Sequence, residues 1–385
     1  MRHCSRLPES AGPESAGRLR RRWARIGGLV ALAGGIGLTA SMSPVGPDGH
    51  QRGREATTGV GTSPGTGSRD PGSVGGSAPP SADAPPGTAP GVAVRSFSPS
   101  YWSRWSNGPP ADADWFPIGV FDNDPYYNDA AVKAAGLNLY LGLYDFGSQY
   151  RHYVTDGLVR HGSHAMAGDA ADVDQVAADR VGRRRLWGYQ PADEPEMKHY
   201  DVPDIRAAYD AIRAKDPTRP IFIGFGKGLS LPRPQSNYFL QGYEPSEYCA
   251  VPDVTAADYY GPQDAQHGPD GQWVYGRTMD LMRAACDNAK PIWNFVDVEK
   301  VNAPDEPGGD LPTPTPLEIK QNVWLSIIHG ATGIVYFCHD FGDRSVSTWD
   351  SKCLYDRPRT RAITETNALL TKYAAVLNSP TRGTP

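Results

Sequence analysis

The stretch LWGYQPADEPEMKHYDVPDIRAAYDAIRAKDPTRPIFIGF, Leu186 to Phe225, decides the fold. It opens on a short apolar run, LWGYQ (Leu186 to Gln190), and closes on another, PIFIGF (Pro220 to Phe225), each of strand length. Between them Ile205, Ala208, Tyr209 and Ile212 recur at three- and four-residue spacing, which places them on one face of a helix over about Val202 to Ala214. Strand, helix, strand is the repeating unit of a parallel sheet, because parallel neighbours need a crossover long enough to return to the same end.

The alternation continues in both directions. Toward the N-terminus lie FPIGV (Phe116 to Val120), LNLYLG (Leu137 to Gly142) and the weakly marked SHAMAG (Ser163 to Gly168). Toward the C-terminus lie VTAADYY (Val254 to Tyr260), PIWNFVDV (Pro291 to Val298) and GIVYF (Gly333 to Phe337). Helical patterns follow at about Asp129 to Ala135, Asp172 to Val181, Thr278 to Ala289, Pro316 to His329 and Arg357 to Leu377. Eight such strands match an α/β fold of the closed type, the (β/α)8 TIM barrel, better than an open sheet.

The first 95 residues cannot contribute to that core. A basic cluster (Arg18, Arg20, Arg21, Arg22, Arg25) precedes the apolar run IGGLVALAGGIGLTA, Ile26 to Ala40, which is shorter than a membrane span and rich in Gly. This reads as a signal peptide over residues 1–42, cleaved near Ala40, with a retained N-terminal membrane anchor as the alternative. Residues 43–95 are Gly, Ser and Pro-rich and bury too little apolar surface to offset the entropy of ordering, so a disordered linker is expected. The folded domain is then 96–380, on a protein expected to be exported and to act as a monomer.

Export bears on the cysteines. Cys4 falls in the leader, leaving Cys249, Cys286, Cys338 and Cys353; sequence proximity favours Cys249 with Cys286 and Cys338 with Cys353, one of three connectivities. No zinc spacing is present, so no metal or cofactor is expected. A formal charge of −5, with no basic block after the leader, argues against nucleic acid as a partner.

In α/β barrels the reactive groups sit just past the C-terminal ends of the strands. The fourth strand is followed by Pro191-Ala192-Asp193-Glu194-Pro195-Glu196, with two acids side by side. Hydrolysis of a glycosidic bond needs one carboxylic acid to protonate the leaving oxygen and a second carboxylate across the bond. The plain alternative is that Asp193 and Glu194 only complement the positive end of a following helix.

The Asp193-Glu194-Pro195 ending of strand 4 resembles the large retaining clan of (β/α)8 glycoside hydrolases, which includes cellulases and β-galactosidases. The resemblance is one of pattern and covers about residues 115–375. It implies that Glu194 is the acid/base. The residue before it is usually Asn, which binds the sugar 2-hydroxyl; Asp193 keeps an acceptor there and loses the amide donor. The clan places its nucleophile, normally Glu, at the end of strand 7, where this chain offers Asp297 and Glu299; as plain loop acids these would instead pair with Lys300.

A carbohydrate substrate also needs flat apolar faces beside polar partners. Trp187, Tyr189, Asp258, Tyr259, Tyr260 and Trp293 lie on strands 4, 6 and 7 or at their ends, His339 follows strand 8, and Asp122 follows strand 1. For Trp187 and Trp293 filling of the barrel interior is as good a reading as substrate contact. No GxSxG elbow, HExxH pair or phosphate-binding loop competes with the two-carboxylate reading, whose rival is a barrel that binds carbohydrate without cleaving it.

Overall fold

The computed structural model describes residues 100–121, 123–265, 271–342 and 352–379. The expected leader, the expected linker and Asp122 lie outside them.

Eight parallel strands form one sheet: β1 (Ile118–Phe121), β2 (Leu139–Leu141), β3 (Ala165–Met166), β4 (Leu186–Gly188), β5 (Phe222–Phe225), β6 (Val254–Ala257), β7 (Ile292–Asp297) and β8 (Ile334–Phe337). The ladder runs β4-β3-β2-β1-β8-β7-β6-β5. Parallel bridges Tyr189↔Ile221 and Asp193↔Gly224 bring β4 and β5 together at the remaining gap, so the sheet is a nearly closed barrel. Seven strands fall inside the runs read from the sequence, and β1 runs one residue past its run, to Phe121; most are shorter than the runs, because the ladder stops where the chain turns out into loops.

Helices fill the connections and begin in a shared way. Pro125–Ala134, Val202–Lys215, Pro316–Ile328 and Arg357–Lys372 each start behind a capping side chain, Asp124, Asp201, Thr315 and Asp356, that accepts a backbone N–H, and each carries Pro in its first two positions. Cap and proline satisfy or remove the orphan N–H groups that a helix start leaves. The helix expected from Thr278 starts earlier and spans Trp273–Ala285. Sequence periodicity gave no helix after β2, where a π-helix, Arg151–Val159, buries Tyr153, Val154, Gly157 and Leu158. Gly157 permits its close approach to the helix that follows β1: a Cβ there would stand 3.0 Å from Pro125 Cγ. Among the described residues no helix is long and apolar enough to cross a membrane.

Two apolar layers result. Inside the barrel Leu139, Leu141, Met166, Phe222, Val254, Ala256, Trp293, Phe295 and Val335 interlock, all fully buried. Tyr101, Trp102 and Trp105 join them from the segment before β1, with Trp102 6.3 Å from Trp293 between ring centres. The Tyr101 hydroxyl donates to the carbonyl of Asp253, at the start of β6, so this aromatic plug stops the N-terminal end of the barrel. Among the described residues this leaves the C-terminal mouth open for a site. The second layer, between strands and helices, takes Ile118, Val120, Ile292, Val296, Ile334 and the buried faces of the helices.

Cys249–Cys286 and Cys338–Cys353 are disulfide-bonded, with Cα separations of 5.4 and 5.2 Å, in the pairing that sequence proximity favoured.

Candidate active site

The mouth of the barrel is floored by aromatic rings. Phe121 at the end of β1 packs on Phe295 (5.2 Å between centres) and Phe337 (6.1 Å), and Tyr260 stands 5.4 Å from Phe337. Phe295 is buried, whereas Phe121, Tyr260 and Phe337 are half-buried and keep a face toward the opening.

Glu194 rises at one side of this floor. Its N–H donates to the Gly224 carbonyl (3.1 Å) and the preceding Asp193 bridges Gly224, so the chain beyond β4 is clamped to the end of β5. Glu194 takes a left-handed backbone conformation, φ 42°. A non-glycine residue held there costs on the order of 1–3 kcal/mol, and such strain concentrates at functional sites. The side chain lies over Gly226, where a Cβ would come within 2.4 Å of Glu194 Oε1. Burial, and then the neighbouring Asp193 charge, push the Glu194 carboxyl up to about 7, against the pull of Lys198 and Lys227. Lys198 donates to the Asp193 carbonyl (2.6 Å) and carboxylate (3.1 Å), and Lys227 pairs with Asp264 at 2.9 Å.

Asp258 stands at the other side of the same strand end. Its N–H donates to the Phe225 carbonyl (2.7 Å), one step beyond the last β5–β6 pair, Phe225↔Ala257. Its carboxyl is held well above the ordinary range by burial, then by the charges of Glu194 and Asp193, while the Tyr260 hydroxyl works the other way.

The strand-7 acids are engaged elsewhere. Asp297 ends β7 with no exposed surface; it accepts hydrogen bonds from Gln263 Nε2 (2.7 Å) and the Tyr275 hydroxyl, and burial pushes it up to about 6 despite these donors. Glu299 is 1% exposed and lies 3.8 Å from the Arg359 guanidinium; burial pushes it up to about 7, Arg359 opposing.

The aromatic candidates divide. Tyr260 belongs to the mouth, while Trp293 fills the barrel centre against Phe222 (5.3 Å). Trp187 stacks on His164 (3.8 Å, 11°) and meets Trp115 edge-on, in the plugged half of the barrel. Tyr189 reaches outward, its hydroxyl donating to Asp216 at 2.9 Å, and Tyr259 is buried in the layer between strands and helices. His339 is buried beside the rings of Phe337 (5.1 Å) and Phe341 (5.7 Å) at the top of β8.

Sequence reasoning did not single out Glu196, Lys198, Lys227, Gln263 or Tyr275. Glu196 is fully buried, with its Cγ 2.4 Å from where a Gly228 Cβ would be. Burial and the Glu194 charge push it up to about 8, against the backbone N–H groups of Gly226 and Gly228. A Lys two residues after the β5 run and an acid two residues past Glu194 were the signals available. Among the described residues no group of three or more His, Cys, Asp or Glu is arranged to hold a metal ion.

No protein-family model matches the chain, and no curated sequence does. Solved structures do match. A putative alpha-L-fucosidase from Bacteroides thetaiotaomicron VPI-5482 is 11% identical over 68% of this chain and 95% of its own, with a TM-score of 0.42. The hyperthermostable endo-1,4-beta-D-mannanase from Thermotoga petrophila RKU-1 is 10% identical over 66% of this chain and 100% of its own (TM-score 0.46). The exo-beta-1,4-mannosidase Op5Man5 from Opitutaceae bacterium strain TAV5 is 11% identical over 68% and 60% (TM-score 0.46). The chemistry has to be read from the side chains.

Proposed function

We propose that this protein is a secreted glycoside hydrolase, with Glu194 as the acid/base that cleaves glycosidic bonds of an extracellular poly- or oligosaccharide. The observation that carries the reading is Glu194 itself: a carboxyl at the C-terminal mouth of a barrel plugged at its other end, over an aromatic floor, with its proton affinity lifted to about 7 by burial. A carboxylic acid tuned close to neutrality can give a proton to a leaving oxygen and take it back. Half-buried rings beside charged groups suit the mixed apolar and polar faces of a sugar. Two disulfides fit an oxidising compartment.

The test is a panel of 4-nitrophenyl glycosides and soluble polysaccharides. Wild type should release product from at least one, and Glu194→Gln should lower kcat by about 10³-fold or more with KM little changed, as expected for a group acting in the transition state. Binding of a polysaccharide without release of any product would instead support the second reading, a carbohydrate-binding barrel. That reading draws on the engagement of Asp297 and Glu299 with Tyr275, Gln263 and Arg359.

A further inference from the structure

The geometry points to Asp258 at the end of β6, rather than an acid of β7, as the second carboxylate of the reaction, the base that activates water opposite Glu194. The inference rests on the proposed hydrolase activity and goes beyond it by assigning the partner.

The placement follows from the backbone. β5 lies between the two acids: the Glu194 N–H is bonded to the Gly224 carbonyl on one side, and the Asp258 N–H to the Phe225 carbonyl on the other. The strand end between them is bare, because Gly224 and Gly226 carry no side chain. A Cβ on Gly226 would collide with the Glu194 carboxyl, and one on Gly224 would stand 4.0 Å from Asp258 Cβ and 3.6 Å from the Phe295 ring. The two acids therefore flank one trough whose base is Phe295. Strands two apart in a sheet are separated by about 9.6 Å, twice the inter-strand spacing. The Glu194 carboxyl leans over Gly226 and so shortens that backbone span toward the roughly 6.5–9.5 Å between carboxyls found where a water must fit between base and substrate.

Tyr260 completes the arrangement. Its phenol is held well above its ordinary range by burial and then by the Asp258 charge, so it stays protonated beside that carboxylate, and Glu194 acts on it as well. Both oxygens of Asp297, by contrast, are already held, one by Gln263 and one by Tyr275.

The chemistry balances with water alone. Glu194 gives its proton to the glycosidic oxygen as the bond from that oxygen to the anomeric carbon breaks, and the leaving group departs as an alcohol. Asp258 takes a proton from the water whose oxygen bonds to the anomeric carbon from the opposite face. The product is an inverted hemiacetal, and the pair regains its starting state when a proton passes from Asp258 to Glu194 through solvent.

The experiment has two arms on the full chain. Carboxyl-carbon NMR, with Asp258 assigned by its loss in Asp258→Asn, follows the titration of Asp258 in wild type, Glu194→Gln and Asp297→Asn. The Glu194 change should lower the Asp258 midpoint by about one unit or more, as removal of a close like charge does, and Asp297→Asn should leave it in place. An unmoved midpoint in Glu194→Gln overturns the pairing, whatever the substrate. On a 4-nitrophenyl glycoside that wild type cleaves, Asp258→Asn should cut kcat by about 10²-fold or more, and proton NMR should show the inverted anomer first. A kcat within tenfold of wild type, or a retained anomer, overturns the role as base. A wild type that cleaves no glycoside overturns the activity itself, and the titration tells that outcome apart from a failed pairing.

Discussion

Glu194 and Gly226 occupy adjoining space: a Cβ on Gly226 would stand 2.4 Å from Glu194 Oε1 and 3.2 Å from its carboxyl carbon. Real Cβ atoms do not come so close, so Gly226→Ala must push the Glu194 side chain aside or move the turn after β5. Overpacking of this kind costs about 1–3 kcal/mol. A displacement on the order of 1 Å at a reacting group can cost about 10²-fold in rate. Gly226→Ala should therefore keep the wild-type circular dichroism spectrum, melt a few degrees lower and lose about 10²-fold in kcat. An unchanged kcat would mean that the position of Glu194 over Gly226 is irrelevant to activity.

The pH profile follows from the sign of the same group. A proton donor works in its protonated form, and burial lifts Glu194 to about 7. Activity should fall tenfold per unit of pH above that value, once Glu194 is mostly ionised, and should fall on the acid side as well, as Asp258, whose carboxyl is held above the ordinary range, takes up its proton. The measurement is kcat/KM from pH 5 to 9. A rise in rate between pH 7 and 8 would contradict Glu194 as proton donor.

Stability should fall across part of the same range. Glu196 is fully buried with its proton affinity raised to about 8 and Glu299 to about 7, both chiefly by burial. A carboxyl whose folded value is raised contributes stability below its unfolded value and loses it as pH rises through the folded one, at about 1.4 kcal/mol per unit of difference. His164 acts with the opposite sign at lower pH, since burial and then Arg185 lower it to about 4 and charging it below about 6.5 costs stability. Between about pH 6.5 and 8 the acids act without it. The thermal midpoint should decline over that window, and Glu196→Gln should flatten the decline. A midpoint that climbs from pH 6.5 to 8 would refute this account.

The barrel could be read in the sequence because its strands are buried on both faces and stand out as apolar runs, PIFIGF and GIVYF among them. The eight-strand count therefore transferred to the fold. Glu194 could be read for the same reason, as the acid just past a strand end. What periodicity cannot give is direction across strands. Tyr189 and Trp187 are adjacent on β4 and its extension, yet one turns to Asp216 outside and the other to His164 within. Asp297 and Glu299 share parity on β7, and their partners, Tyr275 and Arg359, come from helices that sequence spacing does not relate to them. The aromatic plug from Tyr101 to Trp105 was likewise invisible, since no strand or helix pattern marks a segment that packs only by tertiary contact.

The disulfides should differ in what they protect. Cys249–Cys286 spans 37 residues and joins the helix before β6 to the end of the helix after it. Cys338–Cys353 spans 15 and ties the residue after β8, at the mouth, to the short helix Lys352–Tyr355. Loop-closure entropy gives roughly 4 and roughly 3 kcal/mol respectively. Replacing Cys249 and Cys286 by Ser should lower the melting temperature more, while the Cys338 and Cys353 pair replaced by Ser should raise KM more. Equal effects on both measures would show that position at the mouth has no functional weight.

Tyr275 offers the sharpest separation between a structural and a catalytic acid on β7. It sits on the helix Trp273–Ala285, and its hydroxyl and Gln263 together hold the Asp297 carboxyl, tying the segment after β6 to the end of β7. Tyr275→Phe removes one donor from a fully buried carboxyl that burial already pushes up to about 6. Loss of a hydrogen bond to such a group costs about 1–3 kcal/mol, and the proton affinity of Asp297 should rise further. If Asp297 is a structural latch, urea unfolding should register that loss while kcat on a cleaved glycoside stays within tenfold of wild type, because Glu194 and Asp258 keep their places on either side of β5. A loss of about 10³-fold in kcat with unchanged stability would return the second carboxylate to strand 7, since only a group acting on the reacting atoms changes rate without changing the folding equilibrium.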